Sequence, residues 1–288
     1  MSGDRTGETS GDTAGDPGGP RRPRSDRVAE TVAAQLRERI LGAGVGTLPT
    51  QESLMATFGV GAPSVREALR ILEVEGLITV RRGKVGGAEV HRPDGASVAH
   101  AIGLTLQGER THLRELAEAL LFFEPVCAAA CATRPDRHQA LLPALQDNLA
   151  RTADALDDGP EFTRLGREFH DLVVDSTPNT AVRLLVRSLV AVWTTQEETW
   201  ASETWQTGRY PDVAGREHLL DEHRRMARAI GAGDAAAAED LARRHGEGRQ
   251  ELILAGLGDR LIDATSPDAT AGFRRLSFPA GRSREETA

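Results

Sequence analysis

Apolar residues recur every fourth position through Val28, Val32, Leu36 and Ile40, which predicts an amphipathic helix over residues 26–41. Gly42, Gly44 and Gly46 interrupt it. In "LPTQESLMATFGV", Thr50 is placed to cap a short helix whose apolar side is Leu54, Met55 and Phe58. Gly59-Val60-Gly61 reads as a turn, and Pro63 suits the first turn of the next helix, where its missing N–H costs nothing. That third helix buries Val65, Ala68, Leu69 and Leu72 and ends near Glu75, with Gly76 just past its C-terminus. "LITVRR" and "AEVHRP" then flank the glycine-rich "GKVGG", a two-stranded hairpin. After Pro93 the period stays near 3.6 and predicts helices over 95–107, 112–133, 136–156, 160–175, 178–206, 214–232 and 234–260. Turn signals such as "DDGP", "STPN" and "GAGD" separate them, and Asp234 is a natural N-cap.

The predicted fold is mainly α. A winged helix-turn-helix of three helices and a two-stranded wing occupies residues 25–92, and an all-α antiparallel helical bundle follows. The expected organisation is a disordered tail over 1–24, the winged domain over 25–92, a linker helix over 93–110, the bundle over 111–262 and a flexible tail over 263–288. Phe273, Leu276 and Phe278 are apolar positions within that last segment.

Composition narrows the class. With 27% charged and 39% hydrophobic residues among 288, the chain is that of an ordinary globular protein of about two domains. Nowhere do about 18 apolar residues run together, and the N-terminal segment lacks the apolar core of a secretory signal, so the chain reads as cytoplasmic. Cys127 and Cys131 sit in an Ala-rich helical pattern and read as two buried thiols. The net charge of −8 disfavours nucleic acid only on average. Residues 25–92 hold nine basic against eight acidic side chains, so the acidic excess lies later in the chain. Phosphate attraction is local, and a near-neutral module binds DNA when its arginines converge on one surface.

The third helix suits that role. One side packs through Val65, Leu69 and Leu72, which leaves Ser64, Arg66 and Arg70 for a major groove. Arg82 and Lys84 in the wing reach toward the flanking backbone, and the helix begun at Thr50 offers its N-terminus to a phosphate. "GAGVGT" at 42–47 lacks the spacing of a phosphate loop and reads as a turn.

"LPTQESLMATFGV", "VREALRILEVEGLITVRRG" and the wing "KVGG", together with "FFEP", "EFHDLVVDSTPN" and "DEHRRMARAIGAGDAAAAEDLARRH", resemble the GntR family of bacterial transcription regulators, in the FadR-like subgroup with a C-terminal FCD domain. The resemblance covers roughly residues 27–262. It implies a homodimeric repressor that binds a short pseudo-palindromic operator in double-stranded DNA and takes a small-molecule effector in the helical bundle. It also implies a divalent metal, zinc or nickel, held by one Asp and three His. The matching positions are Gly166, His170, His223 and His245, so the three imidazoles are present and the acid is not. Water or an effector carboxylate is the candidate for the empty position. Two arginines common in the family's DNA-binding half are Glu52 and Ala62 here, which implies a different operator. An Arg common in the effector half is Leu120. Trp193 and Trp200 share a helix face with Trp205 beyond, placed for core or dimer packing or for a pocket wall. The rival function is a metal-dependent enzyme built on the three histidines, but no general base accompanies them and the winged module is left unexplained.

Overall fold

The computed structural model describes residues 24–43, 46–81, 87–91, 95–257 and 259–275, which form two compact units divided after Pro93. In the first unit, α1 (Arg24–Ala43) leads to a two-residue strand β1 (Thr47–Leu48), then α2 (Gln51–Phe58), α3 (Ala62–Val74), β2 (Ile78–Arg81) and β3 (Gly87–Val90). Its core includes the predicted Val32, Leu36 and Ile40 from α1, Leu54 from α2, and Val65, Ala68 and Leu72 from α3, whereas the predicted Met55, Phe58 and Leu69 are only partly buried. Thr50 caps α2, its hydroxyl accepting from the Ser53 N–H at 3.3 Å. Gly59 ends that helix at φ +62°, a left-handed conformation that suits glycine. A bidentate pair from Arg37 to Glu75, with distances of 2.9 and 2.5 Å, ties α1 to the end of α3.

The sheet differs from the expected two-stranded wing. β3 pairs with β2 and also with β1, in the order β1-β3-β2, all antiparallel, with Thr47 opposite Glu89 and Leu48 opposite Ala88. Two residues between glycines and a proline carry no alternation to read, but buried Leu48 anchors them to the core. The wing tip, with Arg82 and Lys84, lies outside the described residues, as do residues 1–23 of the tail expected over 1–24 and residues 276–288 with Leu276 and Phe278.

The second unit is helical: α4 (Gly95–Gly108), α5 (Leu113–Ala132), α6 (Arg137–Ala140), α7 (Leu142–Asp154), α8 (Gly159–Asp175), α9 (Thr180–Gln206), α10 (Val213–Ala232), α11 (Ala235–Leu257) and α12 (Pro267–Arg275). α5 lies along α11, α8 along α9, and α10 against α11. The core between them is Leu, Val and Ala with Phe169 and Trp193 at its centre, and Cys127 and Cys131 are buried free thiols. Asp158, Asn179, Asp212 and Asp234 each cap the helix that follows, accepting from backbone N–H groups at 2.8–3.2 Å.

Three expectations are corrected here. The helix predicted over 136–156 breaks at Leu141, because Pro143 has no N–H for Gln139 and its ring crowds that carbonyl. The segment expected as a linker helix is an integral part of the bundle: α4 packs along α9, and a Cβ at Gly103 would lie 3.0 Å from the Ala264 Cβ and 3.2 Å from Phe273 Cζ. The segment expected as a flexible tail contains α12, which lies on α4 and α9 with Ala269 and Phe273 buried. Among the described residues no single helix is long and apolar enough to cross a membrane.

Candidate functional site

Two surfaces carry chemistry, one in each unit. In the first, α3 presents alternating sides of one rod. Val65, Ala68 and Leu72 are wholly buried, whereas Arg66 and Arg70 are exposed and Ser64 is half-buried. Arg66 makes no hydrogen bond or ion pair among the described residues, so its guanidinium is available to a partner. Arg70 lies 3.3 Å from Glu67 on the same helix, a solvent-exposed pair worth little on its own. Thr50 and Glu52 are both exposed at the start of α2.

In the second unit, α8, α10 and α11 each contribute one predicted histidine. His170, His223 and His245 are buried, and their Nε2 atoms form a triangle with edges of 3.2, 3.0 and 3.1 Å. The other ring nitrogens explain the arrangement. His170 Nδ1 lies 3.2 Å from Glu124 and His245 Nδ1 lies 2.8 Å from Glu222. A carboxylate accepts at both, so both rings carry their proton on Nδ1 and point a lone pair from Nε2. Two lone pairs therefore meet at 3.1 Å between His170 and His245. His223 has one Nε2 proton at most and relieves only part of this, while its Nδ1 has no partner among the described residues. A cation within reach of all three removes the conflict.

Burial drives all three histidines toward the neutral form that a metal ligand requires. It lowers His170 and His223 well below the ordinary imidazole range and lowers His245 as well. Burial also opposes the charge on Glu124, but Arg167 and His170 outweigh it and hold that carboxyl well below its usual range. Three nitrogens about 3.3 Å apart form one face of a tetrahedron around zinc at bonds of about 2.0–2.1 Å, and the observed triangle is close to that. The donor set thus fits a divalent zinc-like ion. Gly166, four residues before His170, faces His223; a Cβ there would sit 3.6 Å from His223 Cε1, in ordinary contact. Space for a fourth ligand exists on α8, and glycine leaves it open.

That opening leads into a cavity of about 40 Å³, bordered by Gly166, His223 and His245. Trp200 forms one wall, and Thr163 and Tyr210 another, their hydroxyls 2.5 Å apart. Burial pushes the Tyr210 phenol up to about 12, so it stays protonated. Arg249 borders the same cavity. Its Nη1 donates to Glu197 at 2.9 Å, while its Nε has no acceptor among the described residues. Glu197 also accepts from the Trp193 indole at 2.9 Å. Trp193 is therefore core, Trp200 a pocket wall, and Trp205 a partly exposed ring against Tyr210. Leu120, where an arginine stood in question, is buried in the core.

Sequence reading named the histidines but not their supports. Glu124 lay in "FFEP" without any signal of its partner. Glu222 adjoins His223 yet holds His245, which sequence adjacency conceals. Arg249 and Thr163 had no motif. His218 is exposed and sits 3.5 Å from Glu222.

Two protein families match this chain. Residues 24–86 match the family described as bacterial regulatory proteins, gntR family, and residues 115–248 match the FCD domain. The HTH-type transcriptional repressor NanR of Klebsiella aerogenes is 29% identical over 201 residues, 68% of this chain and 74% of that protein. NanR of Edwardsiella tarda is 30% identical over 175 residues, 59% of this chain and 64% of that protein. A solved Streptococcus agalactiae GntR structure superposes with a TM-score of 0.59 at 23% identity, covering 77% of this chain and 99% of the other, a likeness of fold.

Proposed function

This chain belongs to the GntR family of bacterial transcription regulators, with an FCD domain at its C-terminal side, and from that premise we propose that it is a homodimeric repressor released from or locked onto its operator by a small anionic metabolite. One observation carries the DNA-binding half: α3 is seated by Val65, Ala68 and Leu72 while Arg66, one position along, is exposed and unengaged. An α-helix held this way fits a major groove, where an arginine pairs with guanine O6 and N7. Ser64 and Arg70 flank it, Arg82 and Lys84 are assigned to the wing's backbone contacts, and the Thr50-capped N-terminus of α2 is assigned to a phosphate. Two copies present two such helices, about 34 Å apart, to a pseudo-palindrome.

In the bundle, His170, His223 and His245 are assigned to a zinc or nickel ion, with Glu124 and Glu222 orienting two of the rings. Such an ion, when bound, supplies a positive anchor for a carboxylate. The residues of this chain shape what is admitted. Gly166 leaves the charged-ligand position empty. An effector carboxylate fills that position, with Trp200 covering the apolar part of the molecule. Because Glu124 and Glu222 are committed to histidines, and Glu197 to Arg249 and the Trp193 indole, the cavity is read as a sensor and not as a catalytic centre. Effector binding shifts the operator affinity only through contacts that differ between two arrangements of the dimer.

Selection of genomic fragments by the purified protein tests the reading. Enrichment of one pseudo-palindromic sequence supports it; recovery of fragments without a shared sequence contradicts it. Elemental analysis of the purified protein tests the histidine assignment, since about one zinc or nickel per chain is expected, and His223→Ala removes it.

A further inference from the structure

Away from its histidines, the histidine cavity offers little to a polar molecule. Phe162, Trp200, Leu219, Leu252 and Ile253 form most of its wall. Glu197 lines it too, but that carboxylate already accepts from Arg249 and from the Trp193 indole, each at 2.9 Å. The remaining polar lining is Thr163 and Tyr210, whose hydroxyls lie 2.5 Å apart. Two hydroxyls carry two protons, and the bond between them uses one. One proton is therefore left for a guest.

The place of that proton matters. Thr163, Gly166 and His170 follow one another at spacings of three and four residues along α8, so they share one side of the helix. A carboxylate seated in the position that Gly166 leaves open has one oxygen toward the histidines and the other toward the Thr163–Tyr210 pair. Beyond the carboxylate the walls are apolar. A hydroxyl or a second carboxylate placed there gives up water and finds no partner in return. A methylene placed there is favoured. A cavity of about 40 Å³ has room for about three water-sized groups, so the molecule is short.

We propose that the effector is a short aliphatic monocarboxylate of about two to four carbons, selected by the apolar walls and by the Thr163–Tyr210 hydroxyl pair, which binds the carboxylate oxygen turned away from the histidines. The inference rests on the reading of this cavity as an effector site, and it adds the class of molecule and the residues that choose it.

The test is calorimetric titration of the full-length protein, supplemented with zinc, with acetate, propionate, butyrate, 3-hydroxybutyrate and succinate. Affinity is expected to rise about three- to fourfold with each methylene from acetate to butyrate. It is expected to fall about tenfold or more when butyrate gains a hydroxyl or is replaced by succinate. Because either hydroxyl alone supplies a proton, the pair is removed together, as Thr163→Val with Tyr210→Phe. That double variant should bind butyrate about tenfold more weakly while the increment per methylene stays the same. The native series decides by itself if the variant does not fold. Tighter binding of succinate or 3-hydroxybutyrate than of butyrate, or equal affinity from acetate to butyrate, overturns the inference and leaves the effector reading standing. Unchanged butyrate affinity in the folded double variant overturns the role of the pair. No binding by any of the five acids at about 10 mM overturns the inference and the effector reading together.

Discussion

Gly166 is the residue at which this chain departs most from what its three histidines require. Neutral imidazoles bring no charge to compensate a divalent ion, and position 166 on α8 offers no side chain. Gly166→Asp should place a carboxylate there without a steric clash and tighten zinc binding at least about tenfold. Competition with a coloured chelator reads this directly, and unchanged affinity would show that position 166 does not face the ion. The same histidines set a pH dependence. Their folded-state affinity for protons is lowered by burial, so below about pH 6.5 the unfolded chain binds protons that the native state refuses. Stability of the metal-free protein should therefore fall as the pH drops from 7 to 5, by up to about 1.4 kcal/mol per pH unit for each such histidine. Thermal melts across that range check it. The slope should lessen in His223→Ala, and a melting temperature that rises on acidification contradicts the assignment.

At the scale of elements, what could be read from the sequence was what repeats. α1, α3 and the long helices of the bundle announce themselves through apolar residues at helical spacing, and the starts of α2 and α11 through the caps Thr50 and Asp234. β1 does not, because two residues have no period and their pairing with β3 depends on strand partners far along the chain. α12 is similar: a single buried aromatic, Phe273, fixes nine residues onto α4 and α9, and one apolar position predicts nothing by itself. Phe273→Ala should release that helix. Hydrogen exchange at 267–275 is then expected to rise while that of α8 and α11 stays as before; equal protection in both proteins would show that other contacts hold α12. The histidine site was legible for a comparable reason. Its ligands keep a spacing, whereas Glu222, Arg249 and Arg167 act through side-chain directions that no linear pattern encodes.

At the scale of the whole molecule, one unit carries a helix with Arg66 and Arg70 exposed and the other carries the histidine cavity. In the proposed function they communicate through a dimer. Light scattering of the purified protein should give twice the mass of the 30.9 kDa chain, and a monomer at micromolar concentration contradicts the proposed mode of operator recognition. The phosphate contacts of the first unit set the salt dependence of operator binding, and the acidic excess after residue 92 makes it less steep, because salt also screens the repulsion between the bundle and the phosphates. The central claim is that α3 is seated by its apolar edge so that Arg66 enters a duplex. Fluorescence anisotropy on a selected operator, comparing the native protein with Arg66→Ala, tests it most directly. The account predicts a loss of about 1–3 kcal/mol in specific binding with an unchanged melting temperature; equal affinity in the two proteins would contradict it.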